Sequence, residues 1–347
     1  MRFSIASIPS YPLNEILEIA KVADESGFYG FWVADEVYFK DPWITMAICA
    51  VVTKNMVFGP CVTHVYLRDP TLIAQALGTL DELLNGRAAC GISIGAPFML
   101  QQYRIGLEGG KPIKRLREAV EVIRKMLTEP LVTYNGEFFK YNRLSSAAKK
   151  VGKLPIYIGG MGGPLTFRLA GEIGDGVMLC YGYSREYFKY VIEEVEKGAK
   201  TAGRDLKEFD MACADLFCTS RDSDAAKEAV KAMVGRIVSF LPDRQLIKHG
   251  IQPDDVTDIK KAFSTGDISK VIDLTTMDLV EKLSISGSPE ECIDKIEDFE
   301  ASGVKHLLTL ITDAELIEHI TRTKITGIPK HTEMIKLISR EIMPHFQ

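Results

Sequence analysis

Polar residues crowd the exit of one apolar run. The stretch "GPCVTHVYLRDP", residues 59–70, begins as a buried strand and ends in Cys61, Thr63, His64 and Arg68. A strand that only filled a core would have no use for such an exit. A second apolar run, "GFWVAD" (30–35), ends in Asp35 with Glu36 beside it. Two carboxylates at one strand end suit acid/base work or hydrogen bonding to a ligand, although an Asp after a strand also serves simply to cap the next helix. His64 reads either as a proton-handling group or as a loop histidine. Cys61 reads as a small buried filler, because no base is placed to activate it as a nucleophile. A third run ends in "GGMGGP" (159–164), directly before a helical stretch. Glycine lets backbone approach a ligand closely and the first amides of a helix favour an anion. Residues 159–163 are therefore candidates for a phosphate, against the plainer reading of a flexible loop. His249, His306, His319, His331 and His345 show no HxH or HExxH spacing, so no metal site is expected.

These residues need elements to hold them. Short β-rich runs at 2–8, 30–35, 56–62, 88–94, 154–160, 176–180, 209–219 and 304–312 each precede a stretch with helical periodicity. One of those helices has Asp69 as N-cap, Pro70 at its first position and Gly86 as its stop. Continuous apolar strands alternating with helices imply a parallel sheet covered on both faces. Eight such units are the count that closes a (β/α)8 TIM barrel, with a doubly wound open sheet as the alternative. In such barrels the C-terminal strand ends and the loops after them build the active site, which is where the polar exits fall. Two stretches interrupt the alternation. Residues 129–150 carry an Asn135-Gly136 turn between apolar arms, a hairpin signal, and residues 241–303 read as short helices inserted before the last strand. With no linker and no fixed-period repeat, residues 1–347 read as one domain.

Composition narrows the classes. The 347 residues are 46% hydrophobic and carry a net charge of −5, with no basic block to bind nucleic acid. Seven scattered cysteines without a CxxC pair suit reduced thiols in a cytoplasmic protein. No apolar run approaches the length of a membrane span, and the N-terminus is too polar for a signal peptide.

The segments "GFYGFWVADE", "FGPCVTHVYLRDPTLIAQALGTLDELLNGRAACGISIG", "LPIYIGGMGGPLTFRLAGEIGDGVML", "LIKHGIQPDD" and "SISGSPEECIDKIEDFEASGVKHLLTL" resemble the bacterial luciferase-like superfamily of flavin- and deazaflavin-dependent barrels. The late segments resemble, within it, the coenzyme F420-dependent methylene-tetrahydromethanopterin reductases of archaea. The resemblance implies a non-proline cis peptide at Cys61-Val62 that backs the deazaflavin ring, with Thr63 and His64 facing the cofactor. It implies that Asp35 lies near the ring, that Ile94 and Gly95 contact it, and that Gly160, Met161, Gly162 and Gly163 hold its phosphate.

The sequence also departs from the reductases. Ala6 and Ala96 stand where they carry acids, and Glu36 follows Asp35 where a histidine is common. Glu36, Asp35 and His64 remain as catalytic candidates. The resemblance thus implies an F420-dependent oxidoreductase, with methylene-tetrahydromethanopterin or another pterin as substrate and a homodimer or tetramer as its assembly. An FMN-dependent monooxygenase or flavin reductase on the same barrel is one alternative. A non-catalytic flavin-fold protein is another, kept open by Ala6 and Ala96.

Overall fold

The computed structural model describes residues 1–107, 110–160, 163–180, 184–322 and 324–347. β1 (Arg2–Ser7) runs into α1 (Leu13–Glu25), β2 (Gly30–Val33) into α2 (Pro42–Ala50), and β3 (Val57–Pro60) into α3 (Pro70–Leu83). Next, β4 (Cys90–Ser93) precedes α4 (Pro112–Thr128), β5 (Ile156–Gly159) precedes α5 (Pro164–Ile173), and β6 (Gly176–Cys180) precedes α6 (Arg185–Ala202). β7 (Asp210–Thr219) leads to α7 (Ser223–Phe240), and β8 (His306–Ile311) to α8 (Ala314–Thr321). The pairings among these strands are parallel. Eight parallel strand–helix units are the (β/α)8 class that the alternation predicts.

The chain divides into two compact units, one of residues 29–179 and 193–211, the other of residues 1–28, 180–192 and 212–347. In the first, Gly30–Val33 aligns with Val57–Pro60, Cys90–Ile92 with Ile156–Ile158, and Tyr157–Gly159 with Gly176–Met178. Trp32 is fully buried there and meets Tyr157 edge-on at 5.5 Å. A Cβ at Gly59 would lie 2.7 Å from the Trp32 ring, so only glycine leaves room for the indole. The Asp69 side chain accepts the Thr71 N–H to cap α3, with Pro70 at its first position, as read from the sequence. In the second unit, β8 lies between β1 and β7, and Ser4 and His306 hydrogen-bond at 2.7 Å in its interior.

Three local features differ from the sequence reading. The third strand stops at Pro60 and resumes only as Thr63–His64, which pairs with β4. A six-residue helix, Pro97–Gln102, precedes α4. Within the insertion before β8, after four α-helices and a 3-10 turn, Ile285–Gly287 forms a strand that extends β7 through Phe217–Thr219. The expected hairpin is present, pairing Val132–Asn135 with Lys140–Leu144. Two side-chain contacts fasten it near its turn. Glu118 of α4 accepts the N–H groups of Glu137 and Phe138, and the Tyr141 hydroxyl donates to Asp69. Among the described residues no helix is long and apolar enough to cross a membrane.

Candidate functional site

The exits of β2, β3, β4 and β5 build one constellation, all within the unit of residues 29–179 and 193–211. Its centre is Asp35, 9% exposed, two residues past the end of β2. The Thr63 hydroxyl donates to Asp35 Oδ2 at 2.7 Å, and Arg68 Nε donates to the same oxygen at 2.9 Å. Arg68 Nη2 donates to Asp35 Oδ1 at 3.2 Å and to Asp41 Oδ2 at 2.9 Å. Asp41 in turn caps α2 by accepting the Trp43 and Ile44 N–H groups, and its hydrogen bonds hold its carboxyl below the usual range despite partial burial. Asp35 is therefore not the cap of α2; Asp41 is. Its carboxylate is free of that task and points into the strand exits.

His64 is buried against the same residue. Its Nε2 lies 2.6 Å from the Asp35 carbonyl oxygen. A carbonyl only accepts, so Nε2 carries the proton and Nδ1 is left as an acceptor. The Ser93 hydroxyl, 3.4 Å away, completes that pair while accepting the Gly95 N–H at 3.1 Å. Burial pulls the His64 pKa down, against the opposing pull of Asp35. Burial thus favours the neutral ring, and with both nitrogens engaged His64 ties the exit of β2 to that of β4.

The Cys61-Val62 peptide bond is cis, at the place the resemblance implies. The Val62 side chain, 8% exposed, fits a slot made by two glycines. A Cβ on Gly91 would come within 2.9 Å of Val62 Cγ1 and 2.5 Å of the Pro60 oxygen; one on Gly159 would come within 2.7 Å of Cγ1. Cys61 itself is half-buried. Ile94 and Gly95 are likewise half-buried at the end of β4, with Gly95 at φ 104°.

The glycine loop is described only in part, since Met161 and Gly162 lie outside the described residues. Gly160 adopts φ 120°, a conformation that favours glycine. Its N–H donates to the Met178 oxygen at 3.1 Å, so strand pairing uses the amide expected to meet an anion. Gly163 is the N-cap of α5, with Pro164 at the first helical position. Glu36 is half-buried, and its carbonyl accepts the Phe39 N–H in the turn after β2.

The constellation suits a flat ring system. Val62 and the glycines behind it give an apolar backing, and the clamped carboxylate supplies one acceptor position, because Oδ2 already takes two donors and Oδ1 only one. Sequence reading singled out Asp35, Thr63 and His64, which the fold brings together. It noted Arg68 only as part of a polar exit, gave no role to Asp41, Ser93 or Gly91, and read Gly159 as part of an anion site rather than as a seat for Val62. A lone arginine at one strand exit and a lone aspartate at the neighbouring one are the signal that could have paired them.

Comparison with known proteins bears on the family and the fold. Residues 2–306 match the model of the luciferase-like monooxygenase family. The chain is 32% identical to a 5,10-methylenetetrahydromethanopterin reductase of Archaeoglobus fulgidus over 99% of both chains. The solved structure of the coenzyme F420-dependent tetrahydromethanopterin reductase of Methanopyrus kandleri superposes with a TM-score of 0.90 at 30% identity, covering 100% of this chain and 99% of that one. An F420-dependent glucose-6-phosphate dehydrogenase of Mycolicibacterium fortuitum is 27% identical over 87% of this chain and 89% of its own.

Proposed function

The chain belongs to the luciferase-like monooxygenase family, and we propose that within it the protein is a coenzyme F420-dependent oxidoreductase that passes hydride between the deazaflavin and a bound substrate. Methylenetetrahydromethanopterin is the leading substrate, on the strength of the full-length similarity to reductases of that name. The observation that carries the proposal is the clamped Asp35 beside Val62 in its seat at Gly91 and Gly159, in a chain so similar to those reductases from end to end. We read the whole chain as one catalytic domain, and its seven free cysteines support a reducing cytoplasmic setting.

When bound, the cofactor supplies two-electron hydride chemistry at its ring. The protein's residues hold, orient and exclude water. Val62, seated against Gly91 and Gly159, backs one face of the site. Asp35 Oδ1 accepts an N–H or O–H of the ring system, and Thr63 and Arg68 keep that oxygen in place. His64 holds the β2 and β4 exits together and, as a neutral imidazole with both nitrogens engaged, fills a positioning part better than a proton-transferring one. Glu36 is the carboxylate we assign to the proton that accompanies hydride transfer, given Ala6 and Ala96 in place of the reductases' acids. Gly163 and the first turn of α5 are the assigned seat of the phosphate.

For the assembly we propose a second copy of this chain. Residues 42–53 carry no charged side chain, yet Ile44 is 64% and Val51 68% exposed, two helical turns apart on one face of α2. α3 adds Leu72 and Leu83, exposed and three turns apart. Two neighbouring apolar stripes suit a self-complementary interface. Sedimentation equilibrium should find a dimer or larger for wild type and a monomer for Ile44→Glu.

The functional reading is tested by mixing the protein anaerobically with reduced F420 and methylenetetrahydromethanopterin. Oxidation of F420 that needs both protein and pterin supports it. Turnover with no pterin dependence removes the substrate, and no turnover with any acceptor removes the enzyme.

A further inference from the structure

Arg68 is 32% exposed at its side chain and touches two carboxylates on two different elements. Its fork spans both oxygens of Asp35, at 2.9 Å and 3.2 Å, and Nη2 also reaches Asp41, the N-cap of α2, at 2.9 Å. The Trp43 ring lies under the guanidinium, 5.9 Å from centroid to Cζ. One side chain thus links the exit of β2, the start of α2 and the loop that leads from the third strand into α3. Only a planar fork can bridge two oxygens of one carboxylate while reaching a second.

The consequence concerns what Asp35 can offer a ligand. Each carboxylate oxygen has room for about two donors. Thr63 and Arg68 Nε fill Oδ2, whereas among the described residues Oδ1 holds only Arg68 Nη2. We propose that Arg68 is a positioning residue for the cofactor, acting through Asp35: its two-point grip leaves Oδ1 as the single acceptor that meets an N–H or O–H on the edge of the deazaflavin. This rests on the F420 reading given above. The charge balance supports the geometry, since the two carboxylates raise the Arg68 pKa further and Arg68 helps to lower that of Asp41.

A double-mutant cycle on F420 binding tests the idea, read by fluorescence titration of the full-length protein with F420 alone. The variants are Arg68→Lys, Asp35→Asn and the pair. Lysine keeps the charge and the ties to one oxygen at a time, so folding should survive while Asp35 loses its fixed orientation. Arg68→Lys should weaken F420 about 10- to 30-fold, Asp35→Asn by a similar factor, and the pair no more than about threefold beyond the worse single, because the two residues act as one unit. Unchanged affinity in Arg68→Lys would overturn the proposal. So would a pair whose loss equals the product of the two singles, which would mean that Arg68 acts elsewhere. A wild-type protein that does not bind F420 would instead remove the functional reading, and this inference with it. Circular dichroism of each variant guards the comparison, and an Arg68→Lys protein that is unfolded would also overturn it by showing Arg68 to be a folding residue.

Discussion

The slot that receives Val62 can be closed from one side and reopened from the other. A methyl added by Gly159→Ala would sit 2.7 Å from Val62 Cγ1 and 3.2 Å from the Met178 oxygen. Only the first is an outright overlap, and over-packing of this kind costs about 1–3 kcal/mol. Val62→Ala alone removes two methyl groups from a side chain 8% exposed, a loss of roughly 1.5–2.5 kcal/mol counting transfer and cavity. If the sites were independent, the double variant would lose roughly 2.5–5.5 kcal/mol. The geometry says otherwise, since deleting Cγ1 removes the overlap and the new methyl occupies part of the vacated space. The double variant should lose no more than about 2 kcal/mol, a coupling on the order of 1–3 kcal/mol. Gly91→Ala is the control. Its methyl would lie 2.5 Å from the Pro60 backbone oxygen, an overlap that Val62→Ala cannot relieve. Urea unfolding followed by circular dichroism measures wild type, the three single variants and the two doubles that pair each glycine change with Val62→Ala, and F420 titration should track the same pattern. Additive losses at Gly159 and Val62, or equal rescue of Gly91→Ala, would refute the slot.

Asp81 is fully buried and accepts the N–H groups of Ala88, Val151 and Gly152 at 2.7–2.9 Å; Asp81→Ala strands the buried Ala88 donor and two part-buried ones and should cost about 2–3 kcal/mol in the same unfolding assay. Burial lowers the His249 pKa to about 4 from an ordinary 6.5, so the unfolded chain binds a proton there that the folded one refuses. That contribution to stability is complete above pH 6.5 and is lost as pH falls toward 4, by up to about 3 kcal/mol. His249→Phe, which can keep the 4.5 Å stack on Tyr187, should flatten this part of the pH–stability curve. Glu36→Gln should cut turnover about 10²–10⁴-fold with F420 affinity almost unchanged; full activity in that variant would send the proton elsewhere.

Much of this was legible in the chain because it is local. Apolar runs of five to eleven residues before periodic stretches mark all eight strands, and Asp69-Pro70 marks the start of α3 by its own chemistry. The polar exits of β2 and the third strand also stand out, because buried strands have no other reason to end in Asp35, Thr63 and His64. What sequence could not show depends on partners far along the chain. Arg68 and Asp35 are 33 residues apart, and the glycines at 91 and 159 are set by a valine at 62. The strand at Ile285–Gly287 exists because the end of β7 is there to pair with it. The helix at Pro97–Gln102 has no capping side chain before it, only Ala96, so it carries no start signal beyond its proline. The Gly160 amide is expected to meet an anion from its glycine cluster before a helix and from the resemblance; that it donates to the Met178 oxygen depends on a neighbouring strand the local sequence does not show.

The central claim is that the clamped strand exits hold a deazaflavin. Equilibrium titration of the purified protein with F420, repeated with FMN as competitor and followed by oxygen uptake under reducing conditions, tests it most directly. The account predicts saturable F420 binding that FMN does not displace, lost in Asp35→Ala, and no oxygen uptake attributable to the protein. Tight FMN binding with oxygen consumption, and no saturable response to F420, would contradict it.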